Sequence, residues 1–503
     1  MNIRRLINQI IAFACLTMMS ACYNYDGDIV EQVNTGDCYI NLAISVNNGN
    51  KYSTRVGEIP AGGEDGDGRE AGFERENTVT GITLILYKDA TGINTSSDPT
   101  LDLVRYFPVT ERATGTMPIE VTYITGNQPL GKHSLDLKGT YHAIVIANAP
   151  EVAVSLVEGT STLSDVRDAT LNTIYVGDPT KSADNCIHFA MSSEQDNTID
   201  FGSVTATNLD GTAHTDGQDM LFDLTDQPIV IERMAARIDF WAANSNGYKT
   251  STDNAAYTIP GYEYDVTGST TDKFVVTGIV PFNLANGHAT YGSEYLLKRL
   301  RSNVADASTT SYLASETTTN YVIDPKTDDK TTSETPTLTS SLGNIYTLIS
   351  NNTIDNPTDN PYYHSMEAMY ASSSKISISS SENVVVAYPM ENCLLPESKL
   401  YYHATGIAIV GYYYTNGTGT GTRMVYMGYL RHQGESTSYD IHPSTTPLAT
   451  DATMGTTTAM NFGIVRNNIY RVSIEGISPL GGKLSLKIAV HDWRHVEHPI
   501  IYM

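Results

Sequence analysis

The sequence predicts an all-β protein with few short helices. Short stretches in which apolar and polar residues alternate recur along the chain, and Gly, Asn, Asp and Pro separate them. Apolar residues at helical spacing are rare by comparison. With 503 residues the chain exceeds what one hydrophobic core usually organises, so we expect two β-sandwich units.

The first strand has the clearest pattern. Ile40, Leu42, Ile44 and Val46 alternate with polar or small residues, which is the period of a strand with one buried face. Residues 57–76 follow and are rich in Gly and acidic side chains, which predicts a long exposed loop.

The rest of the first half contains three predicted strands and one predicted helix. Three further strands are expected at residues 79–87, 140–148 and 187–191. One helix is predicted at residues 162–171, where Ser164 and Asp165 can cap the first turn.

A second unit is predicted to begin at residue 227 and to open with a long strand over residues 229–241. Its other strands are expected at residues 273–282, 383–388, 407–414, 423–431, 469–474 and 484–490. Residues 302–342 are rich in Ser, Thr and Asp, and their few apolar side chains cannot offset the entropy of ordering the backbone. We therefore expect a polar surface insertion there.

The charge balance excludes one class of partner. The chain has 31 Lys and Arg against 56 Asp and Glu, a formal charge of −25. Such a field repels phosphate backbones, so we expect no nucleic-acid binding. No nucleophile elbow, zinc-protease motif, P-loop or dinucleotide fingerprint occurs in a fitting context, so we expect neither an enzyme nor a cofactor.

The N-terminal residues have the pattern of an export signal. Basic residues, an apolar stretch over residues 10–19 and two small residues precede Cys22. This pattern predicts a signal peptide over residues 1–21 and lipidation of Cys22. The alternative is an ordinary signal peptide followed by an incidental cysteine. The apolar stretch is shorter than the ~20 residues that span a bilayer.

Neither the other cysteines nor the acidic residues indicate a metal site. Cys38, Cys186 and Cys393 are far apart, so we expect buried small side chains and no disulfide framework. An acidic run ending at Glu76 has calcium-loop length, but Arg69 stands where the loop needs an oxygen ligand. Three histidines near the C-terminus do not share one strand face: His491, His495 and His498.

The two ends of the chain suggest an exchange of strands. The alternation of residues 484–490 is followed by further apolar residues, Val496, Ile500 and Tyr502. A terminal strand with an apolar face completes either its own sheet or that of another molecule. The loop after the first strand contains three arginines at which a protease could cut: Arg55, Arg69 and Arg75. Such a cut would allow the first strand to be replaced by a neighbour's strand, and a polymer would form.

Two segments of the second half resemble a known family. Residues 465–474 read VRNNIYRVSI, and residues 490–493 read VHDW. Together they resemble the closing signature of Bacteroidetes fimbrillins, also called type V pilins, and most of all the stalk subunit of the short, or minor, fimbriae. Residues 231–237, IERMAAR, are similar to the family's domain junction.

The resemblance implies two transthyretin-like β-sandwich domains, at residues 56–226 and 227–503. It implies a lipoprotein exported to the outer membrane and then built into a cell-surface fimbria. Residues 22–55 would be a propeptide that carries the removable first strand.

The resemblance also implies how the subunit matures. An arginine-specific surface protease would cut at Arg55, with Arg69 and Arg75 as fallback sites, and residues 494–503 would be the donor strand. The implied partners are identical or related fimbrial subunits, a tip adhesin, and host or bacterial ligands. The subunit's place in the stalk, at the base or at the tip stays open.

A different class of function is a surface lipoprotein that binds glycans. Tyrosine-rich stretches at residues 401–402 and 412–414 could offer sugar platforms, although tyrosines in alternating strands more often pack a sandwich.

Overall fold

In a computed structural model of the chain, β-strands form nearly all of the regular structure, which confirms the predicted all-β class. The structure describes the following residues: 36–46, 69–88, 97–112, 122–133, 137, 139–171, 173–177, 185–193, 197–215, 217–282, 294–295, 363–372, 375–378, 381–391, 405–430, 438–441, 443, 464 and 466–494. The predicted insertion at residues 302–342 lies outside them.

Twelve of the described strands belong to the first half of the chain. They are β1 (Asp37–Val46), β2 (Arg69–Ala71), β3 (Gly81–Tyr87), β4 (Leu101–Pro108), β5 (Thr110–Arg112), β6 (Thr122–Ile124), β7 (Gln128–His133), β8 (Thr140–Ala147), β9 (Thr170–Leu171), β10 (Met191–Ser193), β11 (Asn197–Asp200) and β12 (Met220–Arg233).

All of these except β2 and β9 form one sheet, sheet 1. Its strand order is β4-β3-β8-β10-β12-β1-β6-β5, with β11 beside β8 and β7 beside β1. Neighbouring strands run antiparallel except β1 and β12, which are parallel.

The second half supplies the other described strands. They are β13 (Arg237–Trp241), β14 (Tyr248–Lys249), β15 (Gly261–Asp265), β16 (Lys273–Phe282), β17 (Glu294–Tyr295), β18 (His364–Ser365), β19 (Lys375–Ile378), β20 (Ser381–Ala387), β21 (Gly406–Tyr414), β22 (Thr422–Tyr429), β23 (Ser438–Ile441), β24 (Asn468–Ile477) and β25 (Leu484–Arg494).

β17 pairs with β9 of the first half, and the other strands of the second half form two sheets. Sheet 2 has the order β19-β20-β13-β24-β25-β2, with β23 beside β25, and sheet 3 has the order β14-β15-β16-β21-β22, with β18 beside β16. Apolar side chains of both sheets share one core, for example Phe240 and Val472 from sheet 2 with Ile279 and Ile409 from sheet 3. The second half is therefore a sandwich of two sheets.

The helices of the described residues are short. They are α1 (Glu74–Asn77), α2 (Glu151–Ser155), α3 (Leu163–Asp168) and α4 (Met366–Tyr370). α3 lies within the helix predicted at residues 162–171 but ends at Asp168, and Thr170–Leu171 form β9 instead. Thr162 N donates a hydrogen bond to Asp165 Oδ2 at 2.8 Å. Within the described part of the chain, no helix has the length and apolarity to cross a membrane.

A second core is built around sheet 1. It combines strand residues such as Ile85 and Ile144 with Leu163 of α3, and it extends to Tyr388 and Ile469 of the second half. Apolar contact therefore continues across the junction between sheet 1 and sheet 2.

The strand predicted over residues 229–241 is two strands in different sheets. β12 ends at Arg233 in sheet 1, and β13 begins at Arg237 in sheet 2. Between them, backbone N–H groups donate to the carbonyl oxygens of Ala190 and Pro389. The apolar pattern did not reveal the break because the connecting residues are buried too.

Residue 227, where we predicted the second unit to begin, lies within β12. Residues 225–228 fall between two paired segments of this strand, so Pro228 removes no hydrogen bond from its pairing with β1. The division of the chain at residue 227 stays a prediction, and the chain leaves sheet 1 only after Arg233.

Candidate functional site

β1 lies inside sheet 1 and not at an edge. It is parallel to β12 on one side and antiparallel to β6 and β7 on the other. The register aligns Cys38 with Met220 and Val46 with Ile231. Loss of β1 would therefore leave a groove with an unpaired strand edge on each side.

The apolar side chains of β1 are enclosed by the core of sheet 1. Four of them have no exposed surface and the last is 1% exposed: Cys38, Ile40, Leu42, Ile44 and Val46. Ala43 and Ser45 on the opposite face are buried as well. The second half of the strand is thus covered on both faces, whereas the sequence predicted one buried face.

The pairing of β1 with β12 is interrupted at Ala43. Leu42 aligns with Leu224, but Ile44 aligns with Ile229. Thr125 bonds to β1 at this place from the opposite side, since Leu42 N donates to Thr125 Oγ1 and Thr125 N donates to Leu42 O, both at 3.0 Å. Leu42 therefore keeps backbone partners beside the irregularity.

The start of β1 is fixed by a close backbone approach. A Cβ added to Gly36 would lie 2.0 Å from Gln218 O, so no larger residue fits without movement. Asp37 N donates to Asp219 Oδ1 at 3.0 Å.

The magnitudes make an empty groove unfavourable. Burial of a large apolar side chain stabilises by ~1.5–3 kcal/mol, and each hydrogen bond adds ~0.5–1.5 kcal/mol. Folded domains are stable by only ~5–15 kcal/mol in total. Sheet 1 without β1 would also expose buried neighbours such as Phe222 and Ile231, so another strand is needed in its place.

Most of the predicted processing residues lie outside the described residues. These are Cys22, Arg55, Val496, Ile500 and Tyr502. Cys38 and Cys186 are both buried, and Cys393 also lies outside the described residues.

The two fallback cleavage sites are described. Arg69 opens β2, which pairs in parallel with the end of β25, where Arg69 aligns with Asp492. Arg75 lies in α1, where its Nη2 donates to Tyr388 OH at 3.2 Å and its guanidinium lies 4.4 Å from the centroid of the Phe73 ring. A protease would have to open the local structure to reach Arg75.

The end of the predicted exposed loop is not exposed. Glu76 has no exposed surface, and Arg237 Nη1 lies 3.1 Å from its Oε2. The acidic composition of residues 57–76 concealed this, because the partner is far away in sequence. Glu76 Oε2 accepts from Phe73 N at 2.7 Å, which is the glutamate half of a capping box, but Phe73 has no side-chain acceptor for the other half and the sequence therefore offered no capping signal.

The predicted tyrosine platform at residues 412–414 is mostly interior. Tyr413 and Tyr414 are 3% and 1% exposed. Tyr413 OH donates to Asp272 Oδ2 at 2.7 Å, and the ring of Tyr414 packs against Tyr257. Buried rings cannot stack on a sugar, so the prediction of a sugar-binding platform is wrong for Tyr413 and Tyr414. Residues 401–402 lie outside the described residues.

No metal site is found among the residues that the structure describes. In the part of the chain that the structure describes, no three His, Cys, Asp or Glu side chains are placed to hold a metal ion. The pKa of His364 is lowered to about 4 because burial disfavours its charged form.

No protein-family model matches the chain, and no curated protein matches it. Several solved structures match it at low sequence identity. A fimbrilin (FimA) from Porphyromonas gingivalis is 12% identical, with a TM-score of 0.37, over 93% of this chain and 100% of that one. The C-terminally truncated tip fimbrial protein Mfa3 of the same species is 11% identical, with a TM-score of 0.37, over 91% and 100%. A fimbrial assembly protein from Parabacteroides distasonis is 8% identical, with a TM-score of 0.31, over 90% and 96%. At such TM-scores, function has to be argued from the chain's own residues.

Proposed function

We propose that the chain is a structural subunit of a cell-surface fimbria, which polymerises by strand exchange after proteolytic removal of β1 and supports adhesion. The position of β1 carries the proposal. This strand is central to sheet 1 and its apolar face is fully buried, yet it is the first described element, and residues 47–68 separate it from β2. One cut in that interval would release it from the rest of the fold.

The C-terminal residues supply a matching donor. In an extended strand, Val496, Ile500 and Tyr502 would share one face, with His498 at the position between the first two. A donor from a neighbouring subunit would restore both ladders and the apolar contacts of the groove. The VRNNIY and VHDW segments, which resemble fimbrillin signatures, belong to the turn before β24, to β24 itself and to β25.

The route to the surface follows from the export signal. Lipidation of Cys22 would tether the precursor to the outer membrane, and an arginine-specific protease would then cut at Arg55. The partners would be further copies or related subunits, with a tip adhesin at the end of the fibre. The role is structural and needs no active site.

The N-terminus of the protein recovered from the cell surface tests this proposal. We expect it at Val56, and we expect unheated electrophoresis of the same material to give a ladder of heat-labile multimers. Mature molecules that retain residues 22–50 and run as monomers would refute strand exchange. A monomer that shifts on a glycan gel would favour the glycan-binding alternative.

A further inference from the structure

Residues 69–77 lie at the junction of sheets 1 and 2 and lead the chain from sheet 2 into sheet 1. β2 adds three residues to the edge of sheet 2, where Ala71 aligns with Arg494, the last described residue. α1 follows, and the chain then enters sheet 1 at β3. The chain therefore passes from sheet 2 to sheet 1 here, and it returns to sheet 2 between β12 and β13.

Glu76 lies at the centre of this junction and is fully buried. Its Oε2 accepts from Phe73 N at 2.7 Å and from Arg237 Nη1 at 3.1 Å, and its Oε1 accepts from Tyr388 OH. Burial and the negative charge of Glu76 raise the pKa of Tyr388 well above its ordinary value, so the phenol stays neutral and keeps its proton for this bond.

Arg233, the last residue of β12, bonds to the same segment. Its Nε donates to Glu76 O at 3.0 Å, and its Nη2 donates to Asn77 Oδ1. Its Nη1 donates to Asn467 Oδ1 at 3.0 Å, in the turn before β24. The backbone oxygen of Asn77 also accepts from Tyr123 OH of β6 at 3.1 Å.

The buried charges at the junction depend on one another. Arg237 forms a second, bidentate pair with Asp239, at 2.9 and 2.8 Å. Burial alone would lower the pKa of Arg237, but Asp239 and Glu76 outweigh it and the pKa is raised. Burial lowers the pKa of Arg233 to about 10, so it is still a cation at neutral pH. Glu76 is thus the carboxylate that both arginines approach.

We infer that residues 69–77 form a permanent clasp of the mature subunit, and that the maturation cut lies upstream of residue 69, at Arg55. This inference rests on the proposed function. Hydrolysis after Arg75 would add water across the Arg75–Glu76 amide and place a carboxylate and an ammonium group inside a buried ion cluster. Glu76 N, which donates to Phe73 O at 2.9 Å, belongs to that amide. Hydrolysis after Arg69 would take the first residue from β2 and weaken its pairing with β25.

The clasp also has a consequence for the donor. Because β2 pairs with the end of β25, it holds Arg494, the last described residue, at the edge of sheet 2. A cut at Arg55 frees β1 and leaves this pairing intact. Removal of the old strand and presentation of the new one are therefore independent steps on the two sides of the clasp.

Limited digestion of the full chain with trypsin, which cuts after Lys and Arg, tests the clasp. A synthetic peptide of residues 45–80 gives the intrinsic rate at each bond. Relative to the peptide, we expect protection on the order of a hundredfold or more at Arg75, and little protection at Arg55. Equal relative rates at Arg55 and Arg75 would overturn the inference.

Variants of Glu76 test whether the buried ion cluster, and not α1 in general, slows cleavage after Arg75. Glu76→Ala is expected to speed cleavage after Arg75 by about tenfold or more, and Glu76→Gln by less. Glu74→Ala is the matched control, because Glu74 is an exposed acid in the same helix. If Glu76→Ala does not fold, the protection ratio of the unaltered chain still decides.

The surface-exposed protein distinguishes a failure of the clasp from a failure of the proposed function. An N-terminus at Glu70 or Glu76 would refute the clasp and leave strand exchange standing. An uncut chain in which Arg75 is protected would support the clasp and refute strand exchange.

Discussion

The apolar face of β1 and the end of the clasp, Glu76 and Asn77, are both buried, but different chemistry holds them in place. β1 contributes a row of apolar side chains and a backbone ladder, which any strand of the same period could supply. The clasp contributes Glu76 and Asn77 to a cluster with two buried arginines, which only these side chains in these places can satisfy. The difference separates an exchangeable element from a permanent one.

The same comparison bears on specificity. An apolar groove accepts a donor by period and size, so related subunits could occupy it. A buried ion cluster that loses one partner leaves an uncompensated charge, so it tolerates no substitute.

Deletion of residues 494–503 is expected to have the largest effect. The subunit should fold and be cleaved but fail to elongate, because no donor is available for the next groove. Electron microscopy of fibres measures the loss, and circular dichroism of the truncated subunit controls for folding. Fibres of normal length from this truncation would contradict the exchange mechanism.

Arg55→Ala should block the maturation cut, because the clasp protects the other two sites. We expect the precursor to accumulate with its first strand in place, as seen by N-terminal sequencing. Lys51→Ala is the control in the same interval, since an arginine-specific protease ignores lysine. Efficient processing at Arg69 in the Arg55 variant would show that β2 opens readily.

Glu76→Ala should destabilise the subunit by about 3–5 kcal/mol, because it leaves buried guanidinium groups without their carboxylate. Glu74→Ala should change the free energy of unfolding by no more than about 0.5 kcal/mol. Urea denaturation of both variants measures the difference. Similar values for the two would mean that the cluster contributes specificity and not stability.

Local pattern was enough to predict the strands with steady alternation. β16 was predicted at residues 273–282 and spans Lys273–Phe282, and β21 and β24 were located within a few residues. Each of these strands has its signal within its own residues, since one or both faces are apolar throughout.

The junction could not be predicted in the same way. Glu76 is surrounded in sequence by acidic and glycine residues that indicate exposure. Its buried partners lie far along the chain: Arg237 in β13, and Tyr388 just after β20. The prediction of a surface platform at Tyr413 and Tyr414 was wrong for the same reason. Their burial depends on Tyr257 and Asp272, which a one-dimensional pattern does not bring together.

Two single substitutions in the core of sheet 1 compare β1, which is proposed to leave, with β3, which stays in the subunit. Ile44 in β1 and Ile85 in β3 are both fully buried in one core, so each change to Ala should destabilise the precursor by about 2–5 kcal/mol. In the polymer, β1 has left and β3 remains. Ile44→Ala should then have no effect on the urea resistance of assembled fibres, while Ile85→Ala should still weaken them. If Ile44→Ala weakened the fibres as much as Ile85→Ala, β1 would have to be present in the assembled subunit, and the groove would never have been vacated.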